Sequence, residues 1–259
     1  MNNLQRTREW YLLRKGKISA SQVAVLLGNH KEPLTEEELA ALKAENPKSR
    51  VTTKEVPFSQ GSFTYIDGKI AEMFMTDNSY LEYLENFSYE NAAMRYGTFY
   101  EDEAREKYEE AMNVKVEDAP FIELEGYESF AGGSPDGIVK ETNSLIEIKC
   151  PANPAIHMRH FLYTKPEDLK EDNIDYYAQC QYNMICSAFY LGKKVEWCDF
   201  ISYDPRTSKD KRLKVLRLLP DEELQNELLK RTKLAVEYER EQIRKIKETS
   251  NIILNYEQL

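Results

Sequence analysis

The sequence predicts a single α+β domain, and three observations support that prediction. The first third of the 259-residue chain carries apolar residues at helical spacing. The middle third contains short alternating runs separated by Gly, Pro, Asp and Asn, which is typical of strands joined by turns. A helix, two more strands and a charged helix follow, so helices and strands do not alternate as they do in a parallel α/β fold.

Helices are predicted through about residues 1–115. Residues 6–14 are amphipathic, and residues 19–28 begin with serines and end with glycine, as a helix does. Thr35 and Glu38 have the spacing of a capping box at the start of another helix. Residues 46–58 contain two prolines and no periodicity, which predicts a mobile loop.

Two further helical segments complete this part of the chain. Residues 60–83 have a weak helical pattern, and residues 91–112 have a clearer one. In the second segment, four apolar residues recur at helical spacing, namely Met94, Phe99, Ala104 and Tyr108.

The remaining elements follow from similar patterns. Consecutive strands are predicted at residues 120–124, 129–139 and 144–148, which favours a meander. A long amphipathic helix is predicted at about residues 175–189, and a charged helix opens at Pro220 and Asp221 and runs to about residue 247. Strands are predicted between these two helices at residues 194–203 and 213–219.

Composition narrows the classes of function. Lys and Arg number 35 against 45 Asp and Glu, a net charge of −10, which disfavours a surface that coats nucleic acid indiscriminately. Any contact with nucleic acid is therefore expected in a cleft or channel. No apolar run approaches the ~18 residues of a membrane helix, and the N-terminus lacks the apolar core of a signal peptide, so a cytoplasmic location is expected.

The four cysteines form no C-x-x-C pair, and in a reducing compartment we expect them to be buried thiols. His157 and His160 have helical spacing, but no matching Cys or His pair completes a zinc set. Surface or core histidines are the preferred interpretation.

The segment GGSPDGIVKETNSLIEIKCP, residues 132–151, carries the chemistry. Asp136 lies at the start of one predicted strand, and Glu147 and Lys149 lie on the same face of the next. A hairpin would bring the two carboxylates together, and the Ile148 carbonyl could complete the oxygen ligands that Mg²⁺ prefers. Lys149 could orient or deprotonate an attacking water and offset charge on a phosphate.

An isolated P-D-G or E-x-K is more often a turn followed by an ordinary edge strand. Here Pro135 and Asp136 precede Glu147 by about the length of a hairpin, Lys149 follows, and strand patterns surround both groups. The combination resembles the PD-(D/E)-x-K nuclease motif.

Six segments, spread over about residues 8–245, occur in the order seen in the family of the bacteriophage lambda exonuclease and its YqaJ-like viral relatives. They are WYLLRKGKISAS (10–21), YGTFYEDEA (96–104), SPDG (134–137), EIKCP (147–151), YYAQCQY (176–182) and SYDPR (202–206). The resemblance implies a restriction-endonuclease-like core, in which a central mixed β-sheet is flanked by helices, within a single nuclease domain over residues 1–259. The final helix, about 221–247, would belong to that domain.

The resemblance also assigns residues of the catalytic centre. It implies that Asp136 and Glu147 are metal ligands, that Lys149 is the catalytic lysine, that Glu101 lies beside the metals and that Gln179 holds the water or phosphate. A third carboxylate at Glu101 agrees with two Mg²⁺ ions, for which Mn²⁺ is expected to substitute. Read alone, Glu101 and Gln179 could equally be solvated polar residues on helix faces.

A second set of residues matches the part of the family that receives a terminal 5′-phosphate. These residues are Arg14, Ser19 and Ser21, with Ser134 as a further candidate. Free N–H groups at a helix start attract anions, and an arginine binds phosphate in a bidentate manner. Outside a nuclease, the serines would be helix caps and Arg14 a surface charge.

The resemblance implies a Mg²⁺-dependent 5′-to-3′ exonuclease that digests one strand of linear duplex DNA from 5′-phosphorylated ends and leaves 3′ overhangs for recombination. It further implies a ring-shaped homotrimer around DNA, a phage or prophage origin and a single-strand-annealing partner protein. Two alternatives stay open: a structure-specific or nicking endonuclease of the same superfamily, and a non-catalytic DNA-binding scaffold on that fold.

The sequence departs from this family in two places. Residues 48–90 form a longer stretch than expected, and its FTYIDGKIAEMFMTDNSYLEYLENF portion (63–87) has no evident counterpart. The basic residues of the last helix lie among glutamates, so a solvated face is the preferred interpretation.

Overall fold

A four-stranded sheet forms the centre of the fold. The helix Ala92–Met112 packs on one face of this sheet, and the helix Ile174–Tyr190 packs on the other. The computed structural model describes residues 5–87 and 92–256. The α-helices are α1 Arg8–Arg14, α2 Glu36–Glu45, α3 Gln60–Phe74, α4 Asp77–Phe87, α5 Ala92–Met112, α6 Pro154–His160, α7 Pro166–Asp172, α8 Ile174–Tyr190 and α9 Glu222–Tyr256. The strands are β1 Ile18–Ser19, β2 His30–Pro33, β3 Thr53–Val56, β4 Ile122–Glu123, β5 Ala131–Gly133, β6 Gly137–Val139, β7 Ser144–Lys149, β8 Cys198–Tyr203 and β9 Leu213–Leu218. Two 3₁₀ helices cover Ala20–Leu27 and Lys209–Lys211.

The central sheet has the strand order β6-β7-β8-β9 and is mixed, as predicted. Strands β7 and β8 are parallel, with Glu147 opposite Phe200 and Lys149 opposite Ser202, whereas the outer pairs are antiparallel. Both faces of the parallel pair are covered, so nearly every residue of these two strands is buried, including the polar ones.

Alternate residues of β7 contribute to different cores. Leu145 packs in the cluster that includes α8, whereas Ile146 and Ile148 pack with Ala104 and Tyr108 of α5. Because side chains alternate along a strand, Glu147 and Lys149 lie on the same side as Leu145, the side that α8 covers. The prediction that these two side chains share a face is confirmed.

Most predicted helices are present, and one is wrong in type. Thr35 and Glu38 form the predicted capping box, and the segment 60–83 divides into α3 and α4. Residues 20–27, expected to be α-helical, form a 3₁₀ helix after the two-residue strand β1. Its ends agree with the prediction, since Ser19 is the N-cap and Gly28 the C-cap, and the pairing of β1 with β5 holds Ser19 in extended backbone just before the helix.

The predicted loop at residues 46–58 contains a strand. Residues 53–56 pair antiparallel with residues 30–33 to form a two-stranded ribbon, β2-β3. These short strands are mostly exposed and lack the apolar alternation on which the prediction depended. Hydrogen bonds between the two strands hold the ribbon together instead.

The predicted meander is also wrong, because the second of its three strands is broken. Residues 131–133 form β5 in a small sheet with β1 and β4, whereas residues 137–139 form β6 in the central sheet. Pro135, which has no N–H to donate, lies in the break. The chain therefore changes sheets at the segment that carries Asp136.

Helix α5 and the C-terminal half of the chain differ from the prediction in detail. Ala104 and Tyr108 are buried, but Met94 and Phe99 are exposed, and Asn91 lies outside the described residues. Helices α6 and α7 were not predicted, and α9 extends beyond residue 247. No described helix is long and apolar enough to cross a membrane.

The cysteines and two of the histidines are core residues, as expected. All four cysteines are buried free thiols. His157 Nε2 lies 2.7 Å from the Lys211 carbonyl, to which it must donate, so its Nδ1 accepts from the Ser202 hydroxyl at 2.8 Å. Ser202 in turn accepts from His160 Nδ1 at 2.7 Å. These two histidines bind α6 to β8.

Glu239 of α9 is the least expected buried charge in the fold. It has no exposed surface, and within the described residues neither carboxyl oxygen has a hydrogen-bond partner. Burial raises the pKa of Glu239 from 4.5 to about 8. The folded state therefore holds the proton more tightly than the unfolded chain does between these two pH values.

We predict that Glu239 makes the fold less stable as pH rises. The stabilisation by its neutral form is fully present below the unfolded pKa and is lost as pH rises through about 8. Glu239→Gln should therefore raise the free energy of unfolding by about 2–5 kcal/mol at pH 9 and change it little at pH 5. Urea unfolding at both pH values measures this difference.

Glu237→Gln is the matched control, because Glu237 is an exposed carboxylate on the same helix. An identical pH dependence of stability in the wild type and in Glu239→Gln would contradict the prediction.

Candidate active site

The β6-β7 hairpin places Asp136 beside the end of β7. The Asp136 N–H donates to the Ile146 carbonyl at 3.1 Å, and the Ile148 N–H donates to Asp136 Oδ2 at 2.6 Å. Arg105 of α5 donates to the Asp136 carbonyl at 2.6 Å and is held by Asp118 at 2.7 Å. The Ile148 N–H therefore orients the carboxylate, and Arg105 of α5 holds the backbone of the same residue.

Glu147 is almost completely buried, with 1% of its surface exposed. Its two oxygens are both engaged, Oε1 by Lys149 Nζ at 2.6 Å and Oε2 by Asn183 Nδ2 at 3.1 Å. A buried carboxylate needs such partners because its desolvation would otherwise be costly.

Lys149 is positioned by three neighbours. Besides Glu147, its ammonium donates to Gln179 Oε1 at 3.1 Å and lies 4.8 Å from the centre of the Tyr176 ring. The carboxylates Glu147 and Asp136 outweigh the effect of burial and raise the pKa of Lys149. Residue 149 is therefore held as a cation, which suits a hydrogen-bond donor better than a proton acceptor.

Glu101 lies on the buried face of α5 and is 8% exposed. Arg6, which precedes α1, pairs with Glu101 Oε2 at 2.5 Å. The Arg6 backbone has φ of +62°, a left-handed conformation that is uncommon outside glycine. Next to it, Gln5 donates to the Pro135 carbonyl at 2.9 Å, so the chain before α1 lies against the segment that carries Asp136.

Three carboxyl groups of this site interact electrostatically. Burial and the charge of Glu147 raise the pKa of Asp136 to about 7. Burial is also the main cause of the raised pKa of Glu147 and of Glu101, each of which is further raised by a neighbouring carboxylate. Such mutual repulsion in a desolvated site is relieved by a bound cation.

The residues present fit a hard divalent cation. Mg²⁺ is usually held by one or two carboxylates and keeps several waters, and Asp136 and Glu147 supply two. In the described part of the chain, no three His, Cys, Asp or Glu side chains converge closely enough to hold an ion together. Arg6 engages Oε2 of Glu101, so the predicted role of Glu101 beside a second ion would fall to its other oxygen unless that ion pair opens. The predicted contribution of the Ile148 carbonyl stays a prediction.

A second cluster forms where α1, β1 and the following 3₁₀ helix meet. Arg14 Nη2 donates to Ser21 Oγ at 3.4 Å, and the hydroxyls of Ser21 and Ser19 are 3.1 Å apart. The Arg14 guanidinium lies 4.2 Å from the centre of the Trp10 ring. Ser134 joins this cluster through Trp10, whose Nε1–H donates to Ser134 Oγ at 3.1 Å. We call Arg14, Ser19, Ser21 and Ser134 the basic pocket.

Arg14 has no acidic partner within salt-bridge distance among the described residues. Burial lowers the pKa of Arg14, although the guanidinium still stays charged at neutral pH. A partly buried cation without a counter-ion favours an anionic ligand. We call Asp136, Glu147 and Glu101 the carboxylate cluster. Because Ser134 is two residues from Asp136, the basic pocket adjoins this cluster along the chain.

Several neighbours of these sites were not predicted as functional. Arg6, Arg105 and Asn183 each contact a predicted site residue, yet each is an ordinary polar residue on a helix or in a loop when read from the sequence. Trp10 and Tyr176 lie in segments that resemble the family, and that was the only signal available for them.

Comparison with known proteins identifies the fold and the family of this chain. No curated protein matches the chain in sequence. Among solved structures, the alkaline exonuclease LHK-Exo from Laribacter hongkongensis superposes with a TM-score of 0.66 at 26% identity, over 95% of this chain and 100% of that one, and its complex with dAMP gives the same values. A phage-related exonuclease from Haemophilus somnus 129PT shares the fold, with a TM-score of 0.56 at 15% identity over 89% of this chain and 96% of that one.

These structures confirm the predicted α+β fold of the PD-(D/E)-x-K type. The sequence profile of the YqaJ-like viral recombinase domain matches residues 9–190, which contain the carboxylate cluster and the whole basic pocket. The chain therefore belongs to the YqaJ-like viral recombinase family.

Proposed function

We propose that this protein, a DNA exonuclease, requires Mg²⁺ and digests one strand of linear duplex DNA in the 5′-to-3′ direction from 5′-phosphorylated ends. The observation that carries the proposal is the basic pocket beside the carboxylate cluster, joined to it by the segment from Ser134 to Asp136. The 3′ overhang left by such digestion is a substrate for recombination.

In this proposal Asp136 and Glu147 hold the metal, and Glu101 lies beside it. Bound Mg²⁺ would polarise the scissile phosphate and lower the pKa of a water ligand. The Ile148 N–H and Asn183 fix the orientation of the two carboxylates before substrate arrives. Mn²⁺ has the same preference for oxygen ligands and is expected to substitute.

Lys149 would act as an oriented cation. Its pairing with Glu147 and Gln179 fixes Nζ at the end of β7, where it can donate to the attacking water or to the phosphate. Preorganised donors of this kind stabilise developing charge without reorganisation. Both contacts of Nζ are those of a hydrogen-bond donor, which favours this role over removal of a proton from water.

The basic pocket would bind the terminal 5′-phosphate. Arg14 supplies charge and a planar fork of N–H groups, and the Ser19 and Ser21 hydroxyls supply further donors. Endonucleolytic cleavage would not need such a pocket, so its presence favours the exonuclease.

We further propose that the protein acts as a homotrimeric ring around duplex DNA, with a single-strand-annealing protein as partner. The net charge of −10 is compatible with this assembly if basic side chains line an inner channel.

The proposal is tested by incubating linear and covalently closed circular duplex DNA with the protein and Mg²⁺. Digestion of the linear form alone is expected. Cleavage of closed circles would identify an endonuclease, and no cleavage of either form, with DNA still bound, would identify a scaffold.

We predict that Asp136→Ala and Glu147→Ala each abolish cleavage. Each substitution removes a carboxylate ligand, so calorimetric titration should also show weaker Mn²⁺ binding. Ca²⁺ should support DNA binding by the wild type without turnover, since its looser coordination positions water poorly. Glu141→Ala, which removes an exposed carboxylate from the same hairpin, is the control and should be fully active. Activity of the wild type in EDTA would contradict the prediction.

We predict that Lys149→Ala lowers the single-turnover rate by about 10²-fold or more, with little change in DNA affinity. Lys149→Arg keeps the positive charge and should retain part of that rate if the lysine acts as a cation. Equal losses in both variants would instead indicate that Lys149 accepts a proton. A loss of affinity as large as the loss of rate would make Lys149 a phosphate anchor.

We predict that the wild type digests 5′-phosphorylated duplexes about 10- to 100-fold faster than 5′-hydroxyl duplexes, because hydrogen bonds to a charged group contribute about 1.5–3 kcal/mol. Arg14→Ala should impose a similar penalty on phosphorylated ends and almost none on hydroxyl ends. Arg8→Ala removes a positive charge from the same helix, where Arg8 contacts Asn78, and should leave the preference unchanged. Equal wild-type rates on both ends would refute end recognition.

A further inference from the structure

Helix α3 contacts the basic pocket at Ser19, although α3 lies in the stretch that sequence resemblance left without a role. Tyr65 of α3 reaches Ser19, whose backbone N–H donates to Tyr65 Oη at 3.1 Å. Its ring packs against the main core and lies 5.5 Å from Lys69 Nζ. The phenol oxygen is thereby fixed beside one of the pocket serines.

The Tyr65 hydroxyl accepts one hydrogen bond from the protein and still has a hydrogen to donate. The Ser19 N–H donates to the phenol oxygen, and the Ser19 hydroxyl also lies close to it. Because a serine hydroxyl can donate or accept, it does not commit the Tyr65 hydrogen to one direction. The Tyr65 O–H can therefore turn toward an anion bound beside Ser19.

The surrounding charges favour an anion at this point. Arg14 is close enough to Tyr65 for the two to influence each other electrostatically, and it lacks an acidic partner among residues 5–87 and 92–249. Glu72, the nearest carboxylate on α3, is already engaged by the Gly16 N–H at 2.8 Å and by Lys69 at 2.8 Å. Burial raises the pKa of Tyr65 to about 12, so the hydroxyl keeps its proton at neutral pH.

We infer that Tyr65 is a specificity-determining residue whose hydroxyl donates a hydrogen bond to the terminal 5′-phosphate, alongside Arg14, Ser19 and Ser21. This inference rests on the proposed 5′-phosphate pocket and adds a donor from α3 to it. If Tyr65 acted only by holding Ser19 in place, Tyr65→Phe would have no further effect on phosphorylated ends in a variant that already carries Ser19→Ala, whereas a direct donor would still be missed.

The test compares Tyr65→Phe with the wild type on two duplexes that differ only in having a 5′-phosphate or a 5′-hydroxyl. The substitution keeps the ring and removes the donor. We expect digestion of the phosphorylated duplex to slow about fivefold to tenfold, as for loss of one hydrogen bond to a charged group, with no change on the hydroxyl duplex. Fluorescence anisotropy with Ca²⁺ should show the same selective loss of binding.

Tyr238→Phe is the matched control, because it removes a phenol hydroxyl that anchors α9 to Asp67 of α3. This variant weakens the attachment of α3 to α9 and leaves every proposed phosphate donor in place. It should therefore keep the wild-type preference for phosphorylated ends. Equal slowing of both duplexes by Tyr65→Phe, or an unchanged preference, would overturn the inference while leaving the pocket intact. A wild type without any preference would instead refute the pocket itself.

If Tyr65→Phe is poorly folded, Tyr65→His provides the second variant, since a ring N–H can replace the phenol donor. Partial recovery of the phosphate preference relative to Tyr65→Phe supports donation. A preference no higher than that of Tyr65→Phe, in a variant with wild-type thermal stability, counts against it.

Discussion

The burial of three acidic side chains beside one another is the constraint on which this site depends. Asp136, Glu147 and Glu101 repel one another in a poorly solvated region, and the raised pKa of each one reflects that cost. Each is stabilised by a different element: the backbone of β7, Asn183 of α8, and Arg6 before α1. The central sheet, α8 and the segment before α1 therefore each orient one of the carboxylates.

The parallel pairing of β7 with β8 gives this cluster its geometry. Because side chains alternate along a strand, Ile146 and Ile148 of β7 point toward α5. Glu147 and Lys149 point toward α8 on the other face. A shift of one residue in register would exchange the apolar and the charged set. The apolar residues of the PD…EIK segment thus fix the position of its charged ones.

Much of this could be predicted from the sequence, and the failures have physical causes. The common face of Glu147 and Lys149 could be predicted, because the alternation of side chains along a strand depends only on neighbouring residues. The break between β5 and β6 was not, because it depends on pairing of β5 with β1, more than a hundred residues earlier. The same holds for Arg6 and Asn183, whose contacts with carboxylates join segments distant in sequence. Tyr65 had no signal at all, since only the packing of α3 brings it to Ser19.

The break between β5 and β6 also connects the two parts of the site. Ser134, in that break, accepts from Trp10, whose ring in turn lies against Arg14, while Asp136 at its other end accepts from the Ile148 N–H. A segment of three residues thus spans from the basic pocket to the carboxylate cluster, and Gln5 holds the Pro135 carbonyl between them. Such a short covalent link leaves little freedom for the pocket to move relative to the carboxylates. A phosphate bound by Arg14 would therefore lie in a defined relation to them, which is the condition for a DNA end to determine where cleavage occurs.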